Sequence, residues 1–292
     1  MASGILGVIG GSGFYSMPGL EGGARLEINT PFGKPSDVFY KAAVEGTEIV
    51  FLSRHGSGHR LLPSEVNYRA NIYGMKLLGV EYLLSVSAVG SLREDLAPGD
   101  FVLVDQFVDR TFLRPSTFFG NGIVAHVSLA DPVCAQFAGR VAEAVKAAGS
   151  QARVGGTYIC IEGPEFSTRA ESEMYRSMKM DVIGMTAMQE ARLAREAELC
   201  YAALATVTDY DCWHRDHRNV EIGDVLRVLR ENVDIARTSV IKLAGALSSN
   251  TRSCACSYAL KGAIITERRL IPQKVLEQLQ PLIGKYLQAE RG

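Results

Sequence analysis

An α/β fold, with a largely parallel sheet covered by helices on both faces, is the class that this sequence predicts. Three observations carry it. Short apolar runs recur along the 292 residues, bounded by Gly, Ser and acidic residues. Stretches of helical periodicity separate several of them, the pattern of strand–helix–strand units. No internal repeat, low-complexity tract or Pro/Gly/Ser linker divides the chain, so residues 1–292 read as a single domain.

In order, the strand-like runs are Ile5–Ile9, Glu48–Ser53, Glu81–Ser87, Phe101–Asp105, Thr157–Ile161, Val182–Met185 and Cys200–Val207. They are too short and too irregularly connected for an eight-fold barrel. The first helix is expected over Ser64–Leu78 and the second over Asp131–Ala148, with Asp131 as N-cap, Pro132 at the first helical position and Gly149 as a stop. Thr168-Arg-Ala-Glu171 is a capping box opening a helix to about Met178, since the hydroxyl and the carboxylate each satisfy a backbone donor. Helices over Ala187–Glu198, Ile222–Leu247 and Pro272–Gln288 follow.

Composition excludes several classes. Net charge is −1 and no Lys/Arg stripe offers a footprint for a phosphate backbone, which argues against nucleic acid as a partner. No apolar run approaches the length of a membrane span, and the first nine residues lack the basic and apolar regions of a signal peptide. A soluble cytoplasmic protein is expected. Six cysteines stand at 134, 160, 200, 212, 254 and 256, mostly in apolar surroundings that suit buried free thiols. Cys254-Ala-Cys256 lies in a polar segment. Its one-residue spacing is poor for zinc and no second Cys/His pair is nearby in sequence, so no metal site is expected, whereas a redox-sensitive pair stays open.

The chemistry-bearing residues sit at strand ends. Thr208-Asp-Tyr-Asp-Cys-Trp213 closes the apolar run Leu199–Val207 with two acids at the sheet's carboxyl edge, where open α/β folds place ligands. Strand alternation would point Asp209 and Asp211 to one side. Such a pair can bind a metal, act as acid and base, or accept hydrogen bonds from a nucleobase edge. Gly10-Gly-Ser-Gly13 follows the first strand and lets backbone N–H groups approach an anion; it lacks the third glycine of a dinucleotide fingerprint. Ser53-Arg-His-Gly56 and Ser87-Ala-Val-Gly-Ser91 end the next two strands, with a guanidinium fork suited to phosphate oxygens and a run of small or hydroxyl residues. Together they point to an oxyanion pocket.

These fragments, with Thr30–Ser36, Pro63–Tyr68, Gly90–Arg93, Asp105–Arg110, Glu162–Ser167, Arg169–Ser172 and Gly184–Thr186, resemble in content and order the methylthioadenosine phosphorylase branch of the purine nucleoside phosphorylase family. The resemblance spans most of the chain. It implies one domain with a mixed, largely parallel sheet flanked by helices, assembled as a homotrimer or a dimer of trimers. It implies phosphorolysis of a purine nucleoside, phosphate being co-substrate and no metal or organic cofactor being needed. Carried over residue by residue, phosphate would contact Ser12, Arg54, His55, Ser87, Ala88 and Thr186. Met185 would lie along the ribose, Phe166 and Ser167 near the base, and Asp209 and Asp211 facing the purine. His126 would reach a neighbouring subunit's site near the 5′ substituent, where Ile222 also belongs. Ser12 and Ser87 stand where some relatives have Thr, and both types keep a hydroxyl. The Cys-x-Cys pair resembles microbial members, a hint of microbial origin and of disulfides.

Chemically, the purine leaves as an anion unless N7 gains a proton, and Asp209 is the expected donor, its pKa raised by burial and by Asp211. An acid opposite position 6 accepts from an amine and opposes an oxo group; the 6-oxopurine branch carries Asn there. The resemblance therefore implies 5′-methylthioadenosine as substrate. A broader purine nucleoside or methylthioinosine phosphorylase is the alternative, and a non-catalytic nucleoside-binding module is the rival from another class.

Overall fold

The computed structural model describes residues 4–11, 22–214, 222–248 and 252–288. Its core is a sheet of eleven strands: β1 (Ile5–Gly10), β2 (Ala24–Leu26), β3 (Phe39–Val44), β4 (Thr47–Ser53), β5 (Val80–Ser91), β6 (Phe101–Val104), β7 (Gln106–Arg110), β8 (Ala152–Val154), β9 (Thr157–Ile161), β10 (Val182–Gly184) and β11 (Cys200–Asp209). The helices are α1 (Tyr68–Leu77), α2 (Ala135–Ala147), α3 (Arg169–Ser177), α4 (Ala187–Glu196), α5 (Ile222–Leu247) and α6 (Gln273–Gln288). The expected α/β class with a mixed, largely parallel sheet flanked by helices is what the chain adopts.

The sheet runs β2-β3-β4-β1-β5-β10-β9-β7, and β11 joins β5 and continues to β6 and β8. Strands β4, β1, β5 and β11 are mutually parallel, so their carboxyl ends line one edge. These are also the most apolar runs, because a strand covered on both faces can expose nothing polar until it ends. Burial of β11 is complete from Cys200 to Thr208. Strand β10 runs antiparallel to β5, pairing Val182 with Ser91 and Ile183 with Gly90, so the chain after it heads back along β5.

Four strands were not foreseen. β2 and β8 have three residues each with largely exposed side chains, β7 ends in Asp109-Arg110, and β3 is interrupted by Lys41. Edge or half-exposed strands of this kind lack the apolar run that marks a buried one. The helix expected to be capped by Asp131 begins three residues later. Cys134 is its N-cap, and the Cys134 N–H bonds to Tyr201 O at 2.8 Å while the Asp131 carbonyl accepts from Arg195. Tertiary bonds to β11 and α4 thus hold 131–134 out of the helix. The first helix also starts late, at an Asn67 side chain that accepts from Ala70 N. The Thr168–Glu171 capping box is present as expected.

Candidate active site

The parallel register brings the strand ends into one place. Gly10 pairs with Ser53, Ile9 with Ser85, Ala205 with Ser87 and Asp209 with Gly90. Between Val207 and Asp209 the register slips, a bulge that turns the Asp209 carboxylate over β5. Gly90 accommodates it: a Cβ there would stand 2.9 Å from Asp209 Oδ1 and 3.0 Å from Ile183 Cγ2.

Asp209 accepts from Thr208 Oγ1 at 2.8 Å and from the Asp211 N–H at 2.8 Å. Desolvation outweighs both bonds and, with the Asp211 charge adding to it, lifts the Asp209 pKa to about 6. Strand alternation is not what gathers the two acids. β11 stops at Asp209, and Asp211 lies in the following turn at φ +52°, which folds its N–H back onto Asp209. Asp211 is buried, accepts from Ser167 Oγ at 2.7 Å, and has its pKa raised by desolvation. Trp213 anchors the turn, its Nε1 donating to Ser91 O at 2.7 Å and its ring lying under Arg176 at 3.4 Å. Phe166, next to Ser167, is 43% exposed and free to cover a ligand.

On the anion side, Ser87 and Ala88 are half-buried at the end of β5. Thr186 is the N-cap of α4, and its hydroxyl makes no capping bond, which leaves it and the helix N-terminus to a ligand. His55 directs Nδ1 to Leu61 O at 2.9 Å, so that nitrogen carries the proton. Burial first, then Arg54, lowers the His55 pKa to about 4, and its ring stacks on His59 at 4.4 Å. The imidazole is neutral at pH 7.

Arg54 is more deeply seated than the sequence suggested. Its guanidinium is 3% exposed and passes beneath β1 and β5, donating to Glu190 Oε1, Val86 O and Ser85 Oγ at 2.5, 3.0 and 2.8 Å. Glu190, 1% exposed, also accepts from Ser85 Oγ at 2.6 Å. One Nη1 N–H of Arg54 keeps no acceptor among the described residues. Sequence reasoning missed Glu190, although its place one helical turn after Thr186 on an alanine-lined face was a usable signal.

It also missed Arg114, 9% exposed, which donates to Glu162, Gln189 and the Met185 carbonyl. Glu162 in turn accepts from the Phe112 N–H at 2.7 Å. This network fixes Met185, whose sulfur packs over Gly163, just before Thr186. No motif marks Arg114, and only the fold brings it to the Glu162 segment. Ser12 lies outside the described residues, as does the side chain of Ile222, which opens α5. His126 is exposed on a segment pinned by its N–H to Ala263 O at 2.9 Å, and no hydrogen bond joins its ring to the strand-end residues among those described.

Parallel strand ends that offer hydroxyls, a guanidinium and a helix N-terminus on one side, and two acids on the other, define the nucleoside phosphorylase-like class of α/β enzymes. The family model of the phosphorylase superfamily matches residues 5–243, and the chain belongs to that family. It is 53% identical over 284 residues to the S-methyl-5′-thioadenosine phosphorylase of Geobacter sulfurreducens, covering 97% of this chain and 99% of that one. To the enzyme of the same name from Koribacter versatilis it is 54% identical over 287 residues, 98% of each chain. Among solved structures it resembles a methylthioadenosine phosphorylase from an antarctic soil metagenomic library (TM-score 0.91, 46% identity, 97% and 99% covered). It also resembles the methylthioadenosine phosphorylase of Schistosoma mansoni in complex with adenine (TM-score 0.84, 35% identity, 91% and 100% covered).

Proposed function

We propose that this enzyme phosphorolyses 5′-methylthioadenosine to adenine and 5-methylthioribose 1-phosphate. The observation that carries the reading is the Asp209–Asp211 turn facing an anion pocket at the carboxyl edge of the sheet, in a chain about half identical to phosphorylases of that name over nearly its whole length.

Phosphate is held by Arg54, His55, Ser87, Ala88, Thr186 and Ser12. Its oxygen attacks C1′ as the bond to N9 breaks. The bonding electrons pass into the purine, and N7 takes the proton of Asp209, which regains one from solvent. With a pKa near 6, about a tenth of Asp209 is protonated at pH 7, against roughly a thousandth for an ordinary Asp. General acid catalysis of this kind supplies ~10²–10⁴ in rate. Asp211, held by Ser167, accepts from the exocyclic amine, and an oxo group there would set acceptor against acceptor, a mismatch worth up to ~10⁴ in discrimination. Met185 lies along the ribose and Phe166 covers the base.

The working unit is a homotrimer in which His126 and Ile222 meet the 5′ group, His126 from the neighbouring subunit. The exposure of His126, with Phe112 and Leu113 78% and 68% exposed, supports this. Among the described residues no helix is long and apolar enough to cross a membrane. Phosphate is co-substrate and the reaction draws on no metal or organic cofactor.

Turnover of methylthioadenosine, methylthioinosine and inosine, each with and without phosphate, tests the reading. Adenine release that requires phosphate and prefers methylthioadenosine is expected. Preference for the 6-oxo substrates would overturn the base assignment, and phosphate-independent release would overturn phosphorolysis.

A further inference from the structure

Far from the strand ends, four cysteines distant in sequence meet. The sulfurs of Cys134, Cys200, Cys254 and Cys256 all lie within 4.8 Å of one another, with Cys200 and Cys254 at 3.0 Å. The sequence reading saw only the Cys254–Cys256 pair and found no companion ligands. The fold supplies them. Cys134 is the N-cap of α2, Cys200 begins β11, and Cys254 caps the 3-10 turn Ala255–Tyr258 that carries Cys256. Three of the four are buried and Cys254 is half-buried.

We propose that these four thiolates form a structural zinc site. Tetrahedral Zn–S bonds of about 2.3 Å set the sulfurs about 3.8 Å apart, a spacing between the 3.0 Å of the Cys200–Cys254 pair and the 4.8 Å that bounds the cluster. The one-residue spacing of Cys254 and Cys256 is tight for a chelating pair. Here, however, the ligands come from three separate elements, and the 3-10 turn curls both thiols to one side. A closed donor set of four cysteines is the structural kind of zinc site, with no position open to substrate.

The surroundings match the charge such a centre carries. On binding, four thiols release their protons to solvent as four Zn–S bonds form, leaving a net −2. Two arginines stand against the cluster. Arg195 Nη1 lies 4.0 Å from Cys256 Sγ. Arg252 lines the same small cavity as Cys134, Cys200 and Cys254, and its Nε is buried without a hydrogen-bond partner. Guanidinium groups beside these sulfurs suit a cluster whose sulfurs are anionic. The site ties α2, the start of β11 and the 252–260 segment together. Cys200 and Asp209 bracket the ten residues of β11, so zinc and acid are separated by about 30 Å.

Metal analysis of protein purified with a thiol reductant and without chelator tests this. About one zinc per chain, retained through dialysis, is expected, and Cys134→Ser and Cys256→Ser should each lose most of it. Because those variants can misfold, cobalt is added to reduced, zinc-stripped wild-type protein. The intense visible bands and sulfur-to-cobalt charge transfer of a tetrahedral tetrathiolate are expected. Reduced protein that takes up neither zinc nor cobalt, or native protein whose peptide map shows these cysteines as disulfides, overturns the proposal. Neither readout depends on turnover, so failure here and failure of the assigned reaction are told apart.

Discussion

At the residue scale, Asp209 carries a stability cost at neutral pH against the catalytic gain proposed for it. Its folded pKa of about 6 exceeds the ordinary 3.8, so the folded state holds the proton more tightly than the unfolded chain. The stability this group contributes is therefore full below pH 3.8 and lost as pH rises through about 6, at most about 3 kcal/mol. Asp209→Asn removes that ionisation and keeps an acceptor for the Asp211 N–H. Denaturant unfolding at pH 8 should show the variant more stable than the parent, while kcat falls ~10²-fold or more. The parent's kcat should also carry a limb that falls as pH rises above about 6, absent in Asp209→Asn. Equal stability, or an unchanged pH profile, removes Asp209 as the acid. Both acids were legible in the sequence because they interrupt an apolar strand. How they meet was not, because the bulge at Thr208 and the left-handed Asp211 depend on pairing with β5.

At the scale of elements, the anion side depends on what lies under it. Arg54 was found from its place after β4, but its partner Glu190 comes from α4, more than a hundred residues on, and no local pattern links them. A buried guanidinium whose carboxylate is removed is left uncompensated, at a cost of about 3 kcal/mol. Glu190→Gln should lose about that much in denaturant unfolding, and phosphate should restore part of it by supplying the missing negative charge. Equal stabilisation of parent and variant by phosphate would show that Arg54 does not face the anion. The β5–β11 pairing is tested by Gly90→Ala, whose Cβ would press on Asp209 Oδ1 and Ile183. Since a misplacement of about 1 Å can cost ~10² in rate, kcat should fall by about that factor with far-UV circular dichroism unchanged. A variant with parental kcat would mean that the carboxylate has slack. The central strands were legible because burial on both faces leaves an apolar run, whereas β2, β3, β7 and β8 owe their existence to neighbours.

At the scale of the whole molecule, the proposed reading gives one subunit the acid, the base reader and the anion pocket, and takes His126 from a neighbour. That histidine was singled out only by family resemblance, since an exposed His on a loop has no signature of its own. The loop after β7 carries Phe112 and Leu113 outward, while Glu162 grips their backbone N–H groups and Arg114. An apolar pair held this rigidly in water invites a second copy. On the proposed homotrimer, the double change Phe112→Glu, Leu113→Glu should give monomers by light scattering and remove activity with them. His126→Ala should keep the parental assembly and raise KM for methylthioadenosine by about tenfold with kcat little changed, the outcome expected if its proposed role is one contact to the 5′ group and none to the reacting atoms. Mixing inactive Asp209→Ala subunits with His126→Ala subunits decides between sites within and between chains. If His126 serves its own subunit, no mixed site recovers the parental KM; if it serves a neighbour, some sites in each mixed trimer combine an intact Asp209 with an intact His126, and tight binding returns. A monomeric parent that binds methylthioadenosine as tightly as any mixture would overturn the shared site.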